Sequence, residues 1–167
     1  MIGAEDPAYE AAKHRALRFL SYRPRSVHEL RVKLREKGSD EPTIAKVIDR
    51  FSELRYLDDD SVARQWARSY AVGRLWGNRK IEAKLRERGL ATDTINRAIA
   101  EAREEISEGE AIRKIMERRF PHRLTSEGIS DKEQQRLVRH LLGKGFPSAL
   151  VFEVLATPGK EEYGDNG

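Results

Sequence analysis

The residues best suited to metal binding or proton transfer are four histidines, His14, His28, His122 and His140. Metal sites legible in a sequence typically show pairs of donors two to five residues apart. These four lie far apart on different predicted elements, so each reads as a surface residue. Asp58-Asp59-Asp60 offers the hard oxygen ligands that magnesium takes. A helix is predicted to begin near Ser61, however, and acidic side chains at a helix start satisfy its unpaired N–H groups and oppose its positive dipole end. The run therefore reads as a cap. Ser26 has no base within its local motif, and the Glu29 that follows explains it as a cap too. Trp66 and Trp76 could stack on nucleobases. Trp66 is in phase with an apolar helical stripe and is expected in the core; Trp76 lies off that stripe and stays open. The glycines form no phosphate-cradling loop. These residues imply no catalytic constellation, no metal set and no cofactor, and so a binding protein rather than an enzyme.

The elements that position these residues repeat. Three segments superpose in sequence: Glu29–Gly38, Lys80–Gly89 and Arg136–Gly145. Each has an aliphatic residue eight before its last glycine and a leucine four before it: Leu30/Leu34, Ile81/Leu85 and Leu137/Leu141. A basic residue precedes each glycine, and Ile44, Ile95 and Val151 follow six residues after it. Val47/Ile48, Ala98/Ile99 and Val154/Leu155 complete the pattern, with the glycines 51 and 56 positions apart. Self-similarity in a fixed phase marks a repeat array.

One unit reads as three helices. Ala12, Ala16, Phe19 and Leu20 form a helical stripe that Arg23-Pro24-Arg25 ends. The capping box Ser26…Glu29 opens a second helix with Val27, Leu30 and Leu34 on one face. Gly38 supplies a left-handed helix end. Pro42 fits the first turn of a third helix that buries Ile44, Val47, Ile48 and Phe51. The second unit has Val62, Ala63, Trp66, Ala67 and Tyr70, a break at Gly77-Asn78, then Ile81 and Leu85, with Thr92 capping the helix of Ile95, Ala98, Ile99, Ala102 and Ile106. In the third, Ser107…Glu110 precedes Ile112, Met116 and Phe120, and Pro121 ends the helix. A loop from His122 to Ile129 follows, then Ser130…Glu133 and Pro147-Ser148. The fold class predicted is all-α: three tandem three-helix, helix-turn-helix-like repeats in an elongated, curved array. The boundaries read as a tail over 1–8, repeats over 9–57, 58–106 and 107–156, and a polar, disordered tail over 157–167.

Hydrophobic residues make up 38% and charged residues 36%, which suits several thin cores better than one thick one. Without cysteine there are no disulfides or thiolate metal sites. No apolar run approaches the ~20 residues of a membrane span, and the start, Met1 to Tyr9, does not read as a signal peptide. A cytoplasmic, monomeric protein with no membrane partner is expected. Charge is segregated. From Lys13 to Lys37 there are nine basic and two acidic residues, and from Arg74 to Arg88 six and two. Asp40 to Asp60 has three basic against seven acidic, and Asp93 to Glu110 two against six. The opening helices of the first two units are thus basic. They read either as a solvated, self-paired helix surface or as a stripe offered to phosphate or to an acidic protein groove.

Taken together, these residues resemble the RecX family of RecA regulators. The run from Ala16 to Leu30, with Leu34 and Lys37-Gly38, is similar to its first repeat. Tyr56-Leu57-Asp58-Asp59 with Ala63 is similar to its junction, and Gly77, Ile81, Leu85, Gly89 and Leu90 to its second repeat. Leu141, Leu142, Lys144, Gly145 and Phe146 match the third, whose usual form has Arg-Gly-Phe. Arg55 stands where a glycine often precedes the Tyr-Leu-Asp-Asp run, and Val62 replaces a common Phe; both read as helix-packing positions. The resemblance covers roughly residues 9 to 155. It implies a curved helical protein lying in the groove of the RecA–DNA filament, restraining recombinase, ATPase and coprotease activity in DNA repair, recombination and the SOS response. It also implies contact with single- and double-stranded DNA. Arg23, Arg25, Arg31, Arg79, Lys80, Lys84, Arg86 and Arg88 are the expected contact residues. The alternative is a helical DNA-binding transcription regulator acting without RecA, although the basic residues are spread over several units rather than gathered on one recognition helix.

Overall fold

The computed structural model describes residues 6–121 and 129–157. The first five residues, the loop His122 to Gly128 and the tail 158–167, expected to be disordered, lie outside the described residues. Among the described residues there is no strand, and the chain forms nine α-helices. They are α1 Pro7–Tyr22, α2 Val27–Glu36, α3 Glu41–Glu53, α4 Asp59–Arg68, α5 Asn78–Glu87, α6 Thr92–Glu105, α7 Glu108–Arg119, α8 Asp131–Gly143 and α9 Ser148–Ala156. A π-helical turn, Ser69–Gly73, extends α4.

The helix starts follow from local chemistry. All three capping boxes form: Ser26 with Glu29, Ser107 with Glu110 and Ser130 with Glu133. Each satisfies two N–H groups that a helix start otherwise leaves orphaned. Asp40 accepts from the Thr43 N–H at 2.8 Å, and Asp58 from the Ser61 N–H at 3.1 Å, which makes Asp58 the cap of α4. The other two aspartates of the run are engaged elsewhere, Asp59 with the Val27 N–H at 2.9 Å and Asp60 with Arg97 at 2.9 Å. Gly38, Gly89 and Gly145 all adopt left-handed φ values of 84°, 74° and 90°, so the repeat register is that of the backbone.

The chain divides into two compact units, one of residues 1–66 and 84–98, the other of 67–83 and 99–167. The first is built on Ala12, Ala16, Leu30, Leu34, Ile44, Val47, Ile48, Phe51 and Leu57, with Tyr9, Phe19, Leu20 and Val27 packed at the margin. The second buries Tyr70, Ile81, Ile112, Ile115, Leu137, Leu141, Phe146 and Val151. Each fully buried aliphatic side chain contributes roughly 1.5–3 kcal/mol. Met116 and Phe120 are only half-buried, because Ile115 takes the inward place on α7.

Each unit contains the same junction between consecutive repeats. In the first, the Val27 N–H is capped by Asp59 and the Ser26 hydroxyl donates to the Arg88 carbonyl. In the second, the Asn78 N–H is capped by Glu108 at 2.7 Å and the Gly77 N–H donates to the Lys144 carbonyl at 2.8 Å. Gly77-Asn78 are the counterparts of Ser26-Val27 in the repeat. In the first two repeats the second helix therefore has its start completed by the repeat that follows, through the start of that repeat's first helix and the end of its second.

Two turns differ from the sequence reading. The break before α5 is made by Leu75, left-handed at φ 52°, rather than by Gly77. Gly77 serves close approach instead: a Cβ there would lie 2.4 Å from the Gly145 carbonyl carbon and oxygen. Arg55 is not a packing position. It is left-handed at φ 60°, with its side chain 85% exposed. The glycine preference at this place is one of backbone conformation. Val62, by contrast, is buried. Arg55→Gly is expected to stabilise the chain by about 0.5–1 kcal/mol, since the contact given up, to Asp58 at 4.0 Å, is worth little. Urea unfolding checks this, and a lower midpoint in the variant would contradict it.

Candidate functional site

The basic helices separate into cations turned inward and cations left outward. Around α2, Arg23 forks onto Glu29 through two bonds, at 2.9 and 3.2 Å. Arg88, at the end of α5, reaches the same carboxylate at 2.9 Å and lays its guanidinium 3.9 Å from the centre of the Trp66 ring. Burial alone would raise the Glu29 carboxyl. Hydrogen bonds from Arg23 and the Ser26 N–H, with the charges of Arg23 and Arg88, outweigh it and hold the group below its ordinary value. Asp59 is moved the other way, upward, by burial first and then by its acidic neighbours Asp58, Asp60 and Glu29, against the Val27 hydrogen bond. Arg25 donates to the Phe19 carbonyl at 3.2 Å and lies over the Phe19 ring; burial and the neighbouring Arg23 lower its pKa. Arg31 pairs with Glu41 at 3.0 Å.

On α5, Arg79, Lys84 and Arg86 are exposed, and Lys84 pairs with Glu87 at 2.6 Å. Lys80 is half-buried: its ammonium sits 4.6 Å from the Trp76 ring centre and donates to the Gly143 carbonyl at 3.3 Å. Trp76 is half-buried as well, stacked on Tyr70 with ring centroids 4.6 Å apart, and Arg74 lies across both rings. Trp66, expected in the core, is half-buried beneath Arg88. The eight sequence-chosen cations are engaged in different ways. Arg23 and Arg88 meet at Glu29, Arg25, Arg31 and Lys80 hold their own neighbours, and Arg79, Lys84 and Arg86 look outward.

A second group of cations was not singled out from sequence. Arg74, Arg118, Arg119, His140 and Lys144 line a cleft of about 120 Å³ with Gly73, Leu75 and Ile115. His14 and His28 are exposed, His140 is half-buried, and His122 lies outside the described residues. Burial, followed by the charges of Arg119, Lys144 and Lys80, lowers the His140 pKa. Burial and Arg119 and Lys80 do the same to Lys144. One sequence signal pointed here: Lys144 holds the repeat position of Arg88, while Lys80 holds that of Glu29. Among the described residues no group of histidine and acidic side chains is arranged to hold a metal ion, and no helix is long and apolar enough to cross a membrane.

The chain matches three family models in order, described as the first, second and third three-helix domains of RecX, over residues 12–51, 58–99 and 107–155. It is 32% identical over 147 residues to the Regulatory protein RecX of Mycobacterium sp. (strain JLS), covering 87% of this chain and 80% of that one. It is 33% identical over 139 residues to the Regulatory protein RecX of Syntrophotalea carbinolica, covering 83% and 90%. In structure it is similar to RecX from Lactobacillus salivarius, with a TM-score of 0.76 at 21% identity, over 89% of this chain and 94% of that one. Three domains matched in order, and relatives aligned over most of both lengths, place this all-helical chain in one family: it belongs to the RecX family of regulatory proteins.

Proposed function

We propose that the chain binds the RecA–DNA filament and mostly inhibits its recombinase, ATPase and coprotease activities. The observation that carries this reading is the ordered match of all three RecX domains across residues 12–155, with relatives named as RecX regulators. The outward cations of α5, Arg79, Lys84 and Arg86, are the proposed contact with the filament. A polyanionic partner favours such a face because contact releases condensed counterions, which also makes binding weaken with salt. The proposed species is a monomer acting in the cytoplasm, with single- and double-stranded DNA as further contacts.

The test compares wild type with Arg79→Glu/Lys84→Glu in RecA-driven ATP hydrolysis and strand exchange. Both residues are exposed, so melting should change by no more than about 0.5 kcal/mol. Lys80 is left in place because it packs on Trp76. Inhibition is expected to fall at least tenfold in potency, and more steeply as salt rises. Full inhibition by the folded double variant at low and high salt would remove α5 as the contact. A wild type that leaves RecA activity untouched yet binds DNA with sequence preference would overturn the filament reading itself.

A further inference from the structure

The two repeat junctions join equivalent positions and have opposite electrostatics. At the first, the basic residue before the left-handed glycine, Arg88, meets the carboxylate of Glu29. At the second, the corresponding residues are Lys144 and Lys80, two cations. The Lys144 ammonium donates to the Arg74 carbonyl at 2.8 Å, and that of Lys80 to the Gly143 carbonyl at 3.3 Å. Neither bond supplies a negative charge. Arg74, Arg118, Arg119 and His140 add to the same cleft, and no carboxylate lines it among the described residues. The Nε2 atom of His140 is buried and has no hydrogen-bond partner, a state that costs free energy unless something fills it. Five cationic or ionisable side chains gathered with no acid among the described lining residues repel one another. An anion in the cleft offsets that repulsion.

We infer that the cleft bordered by Arg74, Arg118, Arg119, His140 and Lys144 binds a phosphate group. Its volume, about 120 Å³, is well above the ~10–15 Å³ that a single water needs, which leaves room for a small tetrahedral oxyanion. Two guanidinium forks on the last turn of α7 and an ammonium from the other wall are the donors such a group takes. The proposal does not depend on RecA being the partner, because the cleft lies within one compact unit of the chain itself. Free phosphate, a phosphomonoester and a nucleic-acid backbone share this chemistry.

The test follows the histidine ring resonances of the full chain at fixed pH and ionic strength while inorganic phosphate replaces chloride. His140 is assigned from the spectrum of His140→Gln. Its resonance is expected to move saturably toward the protonated position, since an anion favours the imidazolium, while those of exposed His14 and His28 stay in place. Arg119→Gln, at an exposed position, should fold normally by circular dichroism and weaken phosphate binding about tenfold, the loss of one charged hydrogen bond. Competition identifies the source. An oligonucleotide without terminal phosphates that displaces inorganic phosphate points to the backbone, and displacement by nucleoside monophosphate alone points to a monoester. A His140 signal that does not saturate, or that responds equally in Arg119→Gln, would overturn the proposal.

Discussion

Gly77→Ala is expected to lower stability by roughly 2–4 kcal/mol, far more than alanine at most exposed glycines. The cause is not conformational freedom, because Gly77 does not have positive φ. An added Cβ would lie 2.4 Å from the carbonyl carbon and oxygen of Gly145 and 2.5 Å from the Phe146 nitrogen. Those are backbone atoms and cannot rotate away. The two segments must part, which lengthens the 2.8 Å bond from the Gly77 N–H to the Lys144 carbonyl and opens the core beneath Phe146. Gly38→Ala is the contrast: it is left-handed at φ 84°, but nothing lies within 4 Å of its added Cβ. Its cost should be only about 1 kcal/mol, from backbone strain. Gly89 and Gly145 combine both effects, their Cβ positions falling 2.3 Å from His28 and 2.5 Å from Lys80. Urea unfolding of Gly77→Ala and Gly38→Ala side by side decides the matter. A Gly77→Ala midpoint no lower than that of Gly38→Ala would show that the junction yields where its backbone contacts say it cannot.

That contrast also shows where reading the sequence stops. The helix starts were legible because a capping box is local: Ser26, Ser107 and Ser130 each find their partner three residues on. The register was legible because Gly38, Gly89 and Gly145 hold a backbone state that few other residues accept. The cost of replacing Gly89 or Gly145 was not, since it depends on neighbours from another repeat. Leu75 was missed as the turn for a similar reason. Its buried side chain is what holds it in a left-handed conformation that propensity alone would assign to glycine. The candidate site fared worse than the fold. Counting charges located the basic helices but could not separate Arg79, which is exposed, from Arg88, which closes onto a carboxylate 59 residues away. The cationic cleft was hidden because Arg74, Arg119 and Lys144 come from three separate helical segments.

The second large effect is expected at Glu29, where Glu29→Ala should cost roughly 3 kcal/mol. One carboxylate there accepts from the Ser26 N–H at 3.0 Å, from both terminal nitrogens of Arg23, and from Arg88 at 2.9 Å. The side chains of Glu29 and Arg88 are only 16% and 15% exposed, so water screens this cluster far less than a surface pair. Removing the carboxylate leaves the positive charges of Arg23, Arg25 and Arg88 unbalanced beside one another, with Arg88 poorly hydrated, and it also undoes half of the capping box. Glu29→Gln should cost about half as much, because its amide oxygen still accepts while the charge is gone. The pH dependence has a definite sign. The Glu29 carboxyl is held below its ordinary value, ~4.3 in the unfolded chain, so its contribution is complete above that pH. It is lost as pH falls through the lower folded value. The stability gap between wild type and Glu29→Gln should therefore be constant near neutrality and close in acid. Adding Arg88→Met to Glu29→Ala removes one of the opposed charges and places a flexible apolar chain against Trp66. It should recover part of the loss. If the double variant is less stable than Glu29→Ala alone, the loss comes from the packing of the Arg88 stem over Trp66 and not from unbalanced charge.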